Sequence, residues 1–276
     1  MTGVIADLQR FSLHDGPGVR STVFLKGCNL HCPWCHNPET WSPLPEEMFF
    51  EDKCMRCGHC AEGCPVGARV TCGSVYSSDD LYAQVIRDKP FWGPDGGVTV
   101  SGGEALLQAN FVGELFRLCA RDGVGTCLDT ALCVPADRWS FLIPLTGSWL
   151  VDVKSLRREK SLNVLGADPA LLAANLRLLH DAGGKIRIRV PCVVDFNDGP
   201  EDADALAKLL SGLSDVQAVD ILPVFHHGER KEKALRRKVD GKWFSDQADE
   251  VATRFAALLR EKTIVPVHTM LESKQC

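Results

Sequence analysis

Three cysteines fall within eight residues in Cys28-Asn-Leu-His-Cys32-Pro-Trp-Cys35, a C-x3-C-x2-C spacing. Thiolates are soft ligands, and three so close suit a [4Fe–4S] cube while leaving one iron without a protein ligand. An open iron is a place to bind something, which makes this loop a site rather than a staple. The alternative is a structural zinc completed by His31 or His36, although zinc usually takes paired C-x2-C hooks. A second run, Cys54-x2-Cys57-x2-Cys60-x3-Cys64-Pro65, has bacterial ferredoxin spacing. It points to one auxiliary [4Fe–4S] cube, again with zinc as the alternative. In two-cluster ferredoxins the Cys before Pro serves the other cluster. No second run exists here, so the fourth ligand is either Cys64, which the motif offers, or the lone Cys72, toward which geometry leans slightly.

These residues account for eight of the 13 cysteines in a chain of 276 residues. The other five, Cys119, Cys127, Cys133, Cys192 and Cys276, are scattered singly and read as buried packing. The first fifteen residues carry Asp7, Arg10 and Asp15 and no apolar h-region, so no export signal is expected. That places the chain in the cytoplasm, where ligand thiolates are a better reading than disulfides. Net charge is 31 − 36 = −5, which does not suggest a nucleic-acid-binding face. The longest apolar stretch, residues 141–153, is interrupted by Pro144, Thr146, Gly147 and Ser148 and is too short to span a membrane. At 45% hydrophobic the chain has enough apolar residues for a sizeable core.

The cysteines need elements to hold them. Residues 20–27 read as a strand running into the first cysteine loop. The second cysteine segment is glycine-rich with few large apolar residues, so it needs staples. Beyond residue 78 strands and helices alternate. Helices are expected over 79–89, 105–121, 169–182, 202–213 and 246–262. Strands are expected over 98–100, 126–128, 150–153, 185–190, 218–222 and 263–267. Such alternation means βα units and a parallel sheet. Six or so strands with polar residues at their C-terminal ends suggest an incomplete α/β barrel, with a doubly wound sheet as runner-up. The expected division is a core of residues 1–47 and 77–276 with an iron–sulfur insert at 48–76.

The order of motifs carries a resemblance. C-x3-C-x2-C after a first strand resembles the radical S-adenosylmethionine (SAM) superfamily. Phe11-Ser-Leu-His-Asp-Gly-Pro-Gly-Val-Arg20, Phe24-Leu-Lys-Gly-Cys28 and Cys35-His-Asn-Pro-Glu39 resemble the opening of glycyl-radical-enzyme activating enzymes. Gly97-Val-Thr-Val-Ser-Gly-Gly-Glu104, Thr126-Cys-Leu-Asp-Thr130, Val151-Asp-Val-Lys154, Ile186-Arg-Ile-Arg-Val190 and Ile221-Leu-Pro223 continue it in the family's order. The pyruvate formate-lyase type is similar in the barrel part. The resemblance implies a (β/α)6-type radical SAM barrel with a ferredoxin-like insert. It implies that SAM chelates the open iron and is cleaved to a 5′-deoxyadenosyl radical. That radical would take a glycine Cα hydrogen from a partner glycyl radical enzyme. A low-potential donor such as flavodoxin or ferredoxin would supply the electron, and the chain is expected to be a monomer.

Site residues follow from the same resemblance. Gly102, Gly103 and Glu104 are implied to bind the methionyl amino group, although a tight βα turn with a capping Glu is the plainer reading. Trp34 is implied to lie near the adenine. Asp152, Lys154 and Arg189 would hold SAM or the substrate peptide, and Asp15 and Asp129 would form a monovalent-cation site. The family has a His that contacts SAM two residues after Leu-Pro. Here Pro223-Val-Phe-His-His-Gly228 puts Phe225 there, so His226 is the substitute after a one-residue shift. The basic run 230–238 reads first as a solvated helix face, then as a docking patch for the partner's glycine loop. The insert favours a partner other than pyruvate formate-lyase. Two rival functions are a radical SAM enzyme acting directly on a small molecule and an electron-transfer module.

Overall fold

The computed structural model describes residues 1–60, 63–238 and 240–269; Cys276 lies outside them. Its strands are β1 (Thr2–Ser12), β2 (Arg20–Leu25), β3 (Glu46–Phe49), β4 (Arg69–Cys72), β5 (Ser74–Ser77), β6 (Gly97–Gly102), β7 (Gly125–Thr130), β8 (Ser148–Asp152), β9 (Ile186–Cys192), β10 (Val219–Pro223) and β11 (Val267–Thr269). Its helices are α1 (Ser78–Val85), α2 (Ala109–Arg121), α3 (Arg158–Leu165), α4 (Pro169–Asp181), α5 (Pro200–Leu210), α6 (Glu229–Ala234) and α7 (Ala248–Arg260). One nine-stranded sheet has the order β11-β10-β9-β8-β7-β6-β2-β1-β5. From β2 to β11 every pairing is parallel, while β1 runs antiparallel to β2 and β5. From β6 onward each strand lies beside the one before it. A doubly wound sheet would reverse its order part-way, so that alternative is excluded. The winding is that of a (β/α) barrel, left incomplete because β5 and β11 end the sheet unpaired with each other.

The residues explain the elements. In β9, Ile186, Ile188 and Val190 are buried and alternate with Arg187 and Arg189, which share the other face. The side chain of Asp168 caps α4 by accepting from the Ala170 N–H, and Pro169 fills the first helical position. In α2, Phe111, Val112, Leu115, Phe116 and Cys119 bury one helical face. Helix α1 stops at Val85, short of residue 89, because Pro90 forces a 3-10 turn over Ile86–Phe91. Strand β11 begins at Val267 rather than 263, after Pro266, which has no N–H to pair. Strand β1 escaped the sequence reading because two register shifts break its alternation. Cys119, Cys127 and Cys192 are buried as packing, and Cys133 is half-buried.

Arg20 is 1% exposed and plugs the base of the barrel. Its guanidinium donates to Thr99 Oγ1 and to the carbonyls of Pro17, Asp95, Val98 and Gly125. Five bonds satisfy a buried cation whose desolvation would otherwise cost several kcal/mol. Strands β3 and β4 form a separate two-stranded sheet that brackets the second cysteine run. Residues 74–76, placed in the insert by sequence, instead belong to β5 in the large sheet. Among the described residues no helix is long and apolar enough to cross a membrane.

Candidate active site

The first cysteine loop leaves β2 and returns in the turn Pro38–Thr40. Gly27 N–H donates to Thr40 O (2.7 Å) and Cys28 N–H to Trp41 O (3.1 Å), tying its two ends together. Between them Leu30 and Trp34 are buried with Phe196 and Val224. Cys28, Cys32 and Cys35 line one cavity of about 530 Å3. Burial pushes the Cys28 and Cys32 thiols up to about 12 and raises Cys35 as well. Thiolates here therefore need a cationic partner, and a cube with one thiolate per iron provides it. Among the described residues no three His, Cys, Asp or Glu side chains converge as ligands of one ion, a convergence that a cube does not require.

The end of β6 is pressed against the base of this loop. A Cβ on Gly102 (φ +121°) would lie 2.1 Å from Leu25 N, and one on Gly103 would lie 2.2 Å from Gly27 O. Only glycines permit that approach. Gly103 N–H then donates to Leu25 O and Glu104 N–H to Gly27 O. Both glycines line the cavity. Glu104 is not among the lining residues and is fully buried. Its oxygens accept from Thr130 Oγ1 (2.6 Å), Leu106 N–H (3.0 Å) and Ala131 N–H (2.9 Å). Burial raises this carboxyl to about 6 despite those bonds. Glu104 is thus a brace between β6 and β7, the plainer of its two readings.

The facing wall comes from the ends of β7, β8 and β9. Arg189 donates to Asp129 and to Asp152 Oδ1 (3.0 Å), and Lys154 Nζ donates to Asp152 Oδ2 (2.8 Å). Ser101 Oγ donates to the other Asp129 oxygen at 2.7 Å. Burial penalises the Asp152 carboxylate, but Arg189 and Lys154 outweigh it and hold its pKa low. Asp129 goes the other way, raised by burial, with Arg189 opposing that shift and Asp152 adding to it. Asp15 also lines the cavity and accepts from Ser12 Oγ (2.5 Å) and Thr22 Oγ1 (2.8 Å). Trp34 packs on Phe196 (4.9 Å) and Trp243 (5.4 Å) at the cavity's edge. Three thiols thus face two acid–base pairs across one space.

Known proteins decide the family. The chain is 34% identical to the benzylsuccinate synthase activating enzyme of Thauera aromatica over 85% of its length and 82% of that protein. The chain belongs to the glycyl-radical-enzyme activating enzymes, a radical SAM family. Two Clostridioides difficile activating enzymes agree. The one for 4-hydroxyphenylacetate decarboxylase is 32% identical, covering 90% of this chain and 89% of that one. The one for trans-4-hydroxy-L-proline dehydratase is 29% identical, covering 91% and 93%. Residues 14–129 match a family model described as a 4Fe-4S single cluster domain. A domain of pyruvate-formate lyase-activating enzyme from Bacteroides vulgatus shares the fold (TM-score 0.51, 21% identity), covering 63% of this chain and 98% of that one. A radical SAM methyltransferase from Sphaerobacter thermophilus does too (TM-score 0.56, 17% identity, 91% and 66%). The chain is therefore an enzyme that works with an iron–sulfur cluster and SAM.

Other residues of this activating enzyme reach the site unannounced by the sequence. His226 lies off the cavity, stacked on Phe244 (3.8 Å between centroids) with Nε2 3.3 Å from Glu232. It is His227 that lines the cavity, its ring 5.0 Å from that of His36. The adjacent Gly228 explains the two-residue offset, because a Cβ there would lie 2.2 Å from Cys35 O. His31 packs edge-on against Trp41 instead. The basic run is solvated at Arg230, Lys233, Arg236 and Lys238, as expected, while Lys231 and Arg237 are half-buried. Arg230 pairs with Asp52, Lys231 with Asn37 and Glu39, Lys233 with Glu229, and Arg237 with Glu46. In the insert, Cys54 and Cys64 are half-buried and Cys57 and Cys60 exposed. Cys64 Sγ accepts from Ala68 N–H at 3.2 Å, and backbone N–H groups, those of Arg69 and Val66 foremost, hold the thiol low. Cys72 stands three residues past Arg69, about 10 Å further along β4. There it is buried against Met48 and Ala234.

Proposed function

We propose that the chain activates a glycyl radical enzyme at this cavity, with Cys28, Cys32 and Cys35 holding a [4Fe–4S] cluster whose fourth iron takes SAM. The carrying observation is the placement of three thiols across one cavity from Asp129, Asp152, Lys154 and Arg189. When bound, the reduced cluster and SAM supply one-electron cleavage of the sulfonium, which enables hydrogen abstraction from a glycine Cα. The chain's own residues position and shield. Gly102 and Gly103 offer backbone to the methionyl end, and Trp34 covers the adenine. Lys154 and Arg189, each neutralised by carboxylates, orient SAM and the glycine loop without leaving net charge in a buried space. His227, rather than His226, supplies the imidazole on this side. Asp15 and Asp129 are the pair for a monovalent cation.

A second cube sits on Cys54, Cys57, Cys60 and Cys64. Cys64 is favoured over Cys72 because it shares their loop, whereas Cys72 faces an apolar cluster. The partner is a glycyl radical enzyme other than pyruvate formate-lyase. In support, relatives that match 85% or more of this chain are named activating enzymes of benzylsuccinate synthase, 4-hydroxyphenylacetate decarboxylase and trans-4-hydroxy-L-proline dehydratase. A flavodoxin or ferredoxin supplies the electron, and the enzyme acts as a cytoplasmic monomer. The test is isotopic. Partner protein made with α-deuterated glycine should pass deuterium into 5′-deoxyadenosine. Unlabelled product, or turnover equally fast without any partner, would favour a small-molecule substrate.

A further inference from the structure

Residues 225–238 and 240–244 lie between the end of β10, the cysteine loop and the insert. Three contacts grip the loop. Gly228 packs on the Cys35 carbonyl, Trp243 on Trp34, and Lys231 Nζ reaches Asn37 Oδ1 (2.7 Å) and Glu39 Oε1 (2.5 Å). Lys231 also lines the cavity. Glu39 is 7% exposed, and its second oxygen has no hydrogen-bond partner, so Lys231 is what keeps this carboxylate tolerable. Arg230 grips the insert, and Arg237 joins the start of β3, which leads into it, to the cluster loop by also donating to Pro38 O. Arg230 pairs with Asp52 (2.7 Å) and lies over the Phe50 ring (5.1 Å). Arg237 pairs with Glu46 (3.0 Å) and lies over Trp41 (4.9 Å).

We propose that Lys231 is a positioning residue for the Cys35 arm of the cluster loop, and that the insert seats it through Arg230 and Arg237. The insert then serves the radical site mechanically, whatever electrons it carries. A half-buried cation held by Asn37 and Glu39, two and four residues from Cys35, also favours the more negative, reduced cluster, since local charge and hydrogen bonding set cluster potentials. The pairing makes chemical sense of a basic run in which four of the six cations are engaged with named acids.

The inference rests on the reading of residues 28–35 as the cluster loop, and its test needs no partner enzyme. The full chain is reconstituted anaerobically, and the cluster whose EPR spectrum SAM alters is titrated for its midpoint potential. Lys231→Met should shift that midpoint to more negative potential, and Lys231→Arg should restore it. A folded Lys231→Met with the wild-type midpoint overturns the proposal. If that variant does not fold, Lys231→Met with Glu39→Gln removes the stranded carboxylate. Hydrogen exchange should then show lost protection over residues 36–41, and wild-type protection there overturns the proposal. Arg230→Ser with Arg237→Ser leaves every cysteine in place and should give the same negative shift. An unchanged midpoint in that pair overturns the insert's part. A wild-type chain whose spectrum SAM does not alter would sink the cluster reading instead, so the two failures are separable.

Discussion

The two cysteine loops differ in what holds their shape. The 28–35 loop is pinned at both ends by backbone bonds from Gly27 and Cys28, braced from below by Gly103 and Glu104, and plugged by Leu30 and Trp34. The 54–64 loop is closed at its flanks by the β3–β4 pair and by Phe50 N–H to Ala68 O (2.6 Å), but its described residues have no apolar plug like Leu30 and Trp34. Its turns are made by Gly58 and Gly63, both at positive φ with nothing within 4 Å of a Cβ position. Two of its thiols are exposed. The first loop is organised by the protein around an incomplete ligand set. On the proposed reading the second would offer a complete set and be ordered by its metal, as small metal-bound segments are. An open iron needs a rigid, dry surround, whereas a closed cluster needs only its ligands.

The largest effect should come from the ligands themselves. Cys32→Ala should reduce SAM cleavage to background while the barrel stays folded by circular dichroism. Cys57→Ser should instead lower iron from about eight to about four per chain and leave SAM cleavage measurable. Equal loss of cleavage in both would erase the contrast. Chelation comes next. Stripping iron should abolish hydrogen-exchange protection in the 54–64 loop and spare the amides of Gly27, Cys28 and Glu104, as mass spectrometry of exchanged peptides would show.

Glycine substitutions sharpen the comparison further. Gly103→Ala forces a Cβ to 2.2 Å from Gly27 O and should cost about 3 kcal/mol or more, as overpacking at backbone does. Gly58→Ala meets nothing and should cost only the left-handed strain, about 1 kcal/mol. Urea midpoints on the holoenzymes would measure both. The smallest effect concerns pH. The Glu104 carboxyl is raised from 4.5 to about 6, so between those values the folded state holds a proton that the unfolded state has lost. Stability contributed here is present below 4.5 and lost as pH rises through 6, by about 2 kcal/mol. Glu104→Gln should remove that slope, read as the difference in urea midpoint between pH 5 and pH 7.

Much of this was legible in the residues. The βα alternation predicted the barrel because buried parallel strands and one-faced helices leave strong periodic signals. The C-x3-C-x2-C loop and the residues at successive strand ends were legible because topology brings those ends to one mouth. Glu104 was misassigned because a glycine pair with an acid reads alike whether the acid meets ligand or backbone. His226 was read as the substitute for the family histidine, but it is His227 that lines the cavity, because Gly228 touches Cys35, a contact distant in sequence. The basic run 230–238 is solvated at four of its six cations, but the anchoring of Lys231 and Arg237 was not legible because Asn37, Glu39 and Glu46 lie about 190 residues away. Strand β1 was hidden by its bulges.

The central claim is that the 28–35 loop, and not the 54–64 loop, is where a partner's glycine is activated. The direct test mixes the reduced enzyme, SAM and a candidate glycyl radical enzyme without oxygen and records the EPR spectrum. Wild type and Cys57→Ser should both give a glycyl doublet, the second weaker, and Cys32→Ala should give none. A doublet from Cys32→Ala would contradict the account, as would its absence from wild type with every candidate partner while SAM is still cleaved.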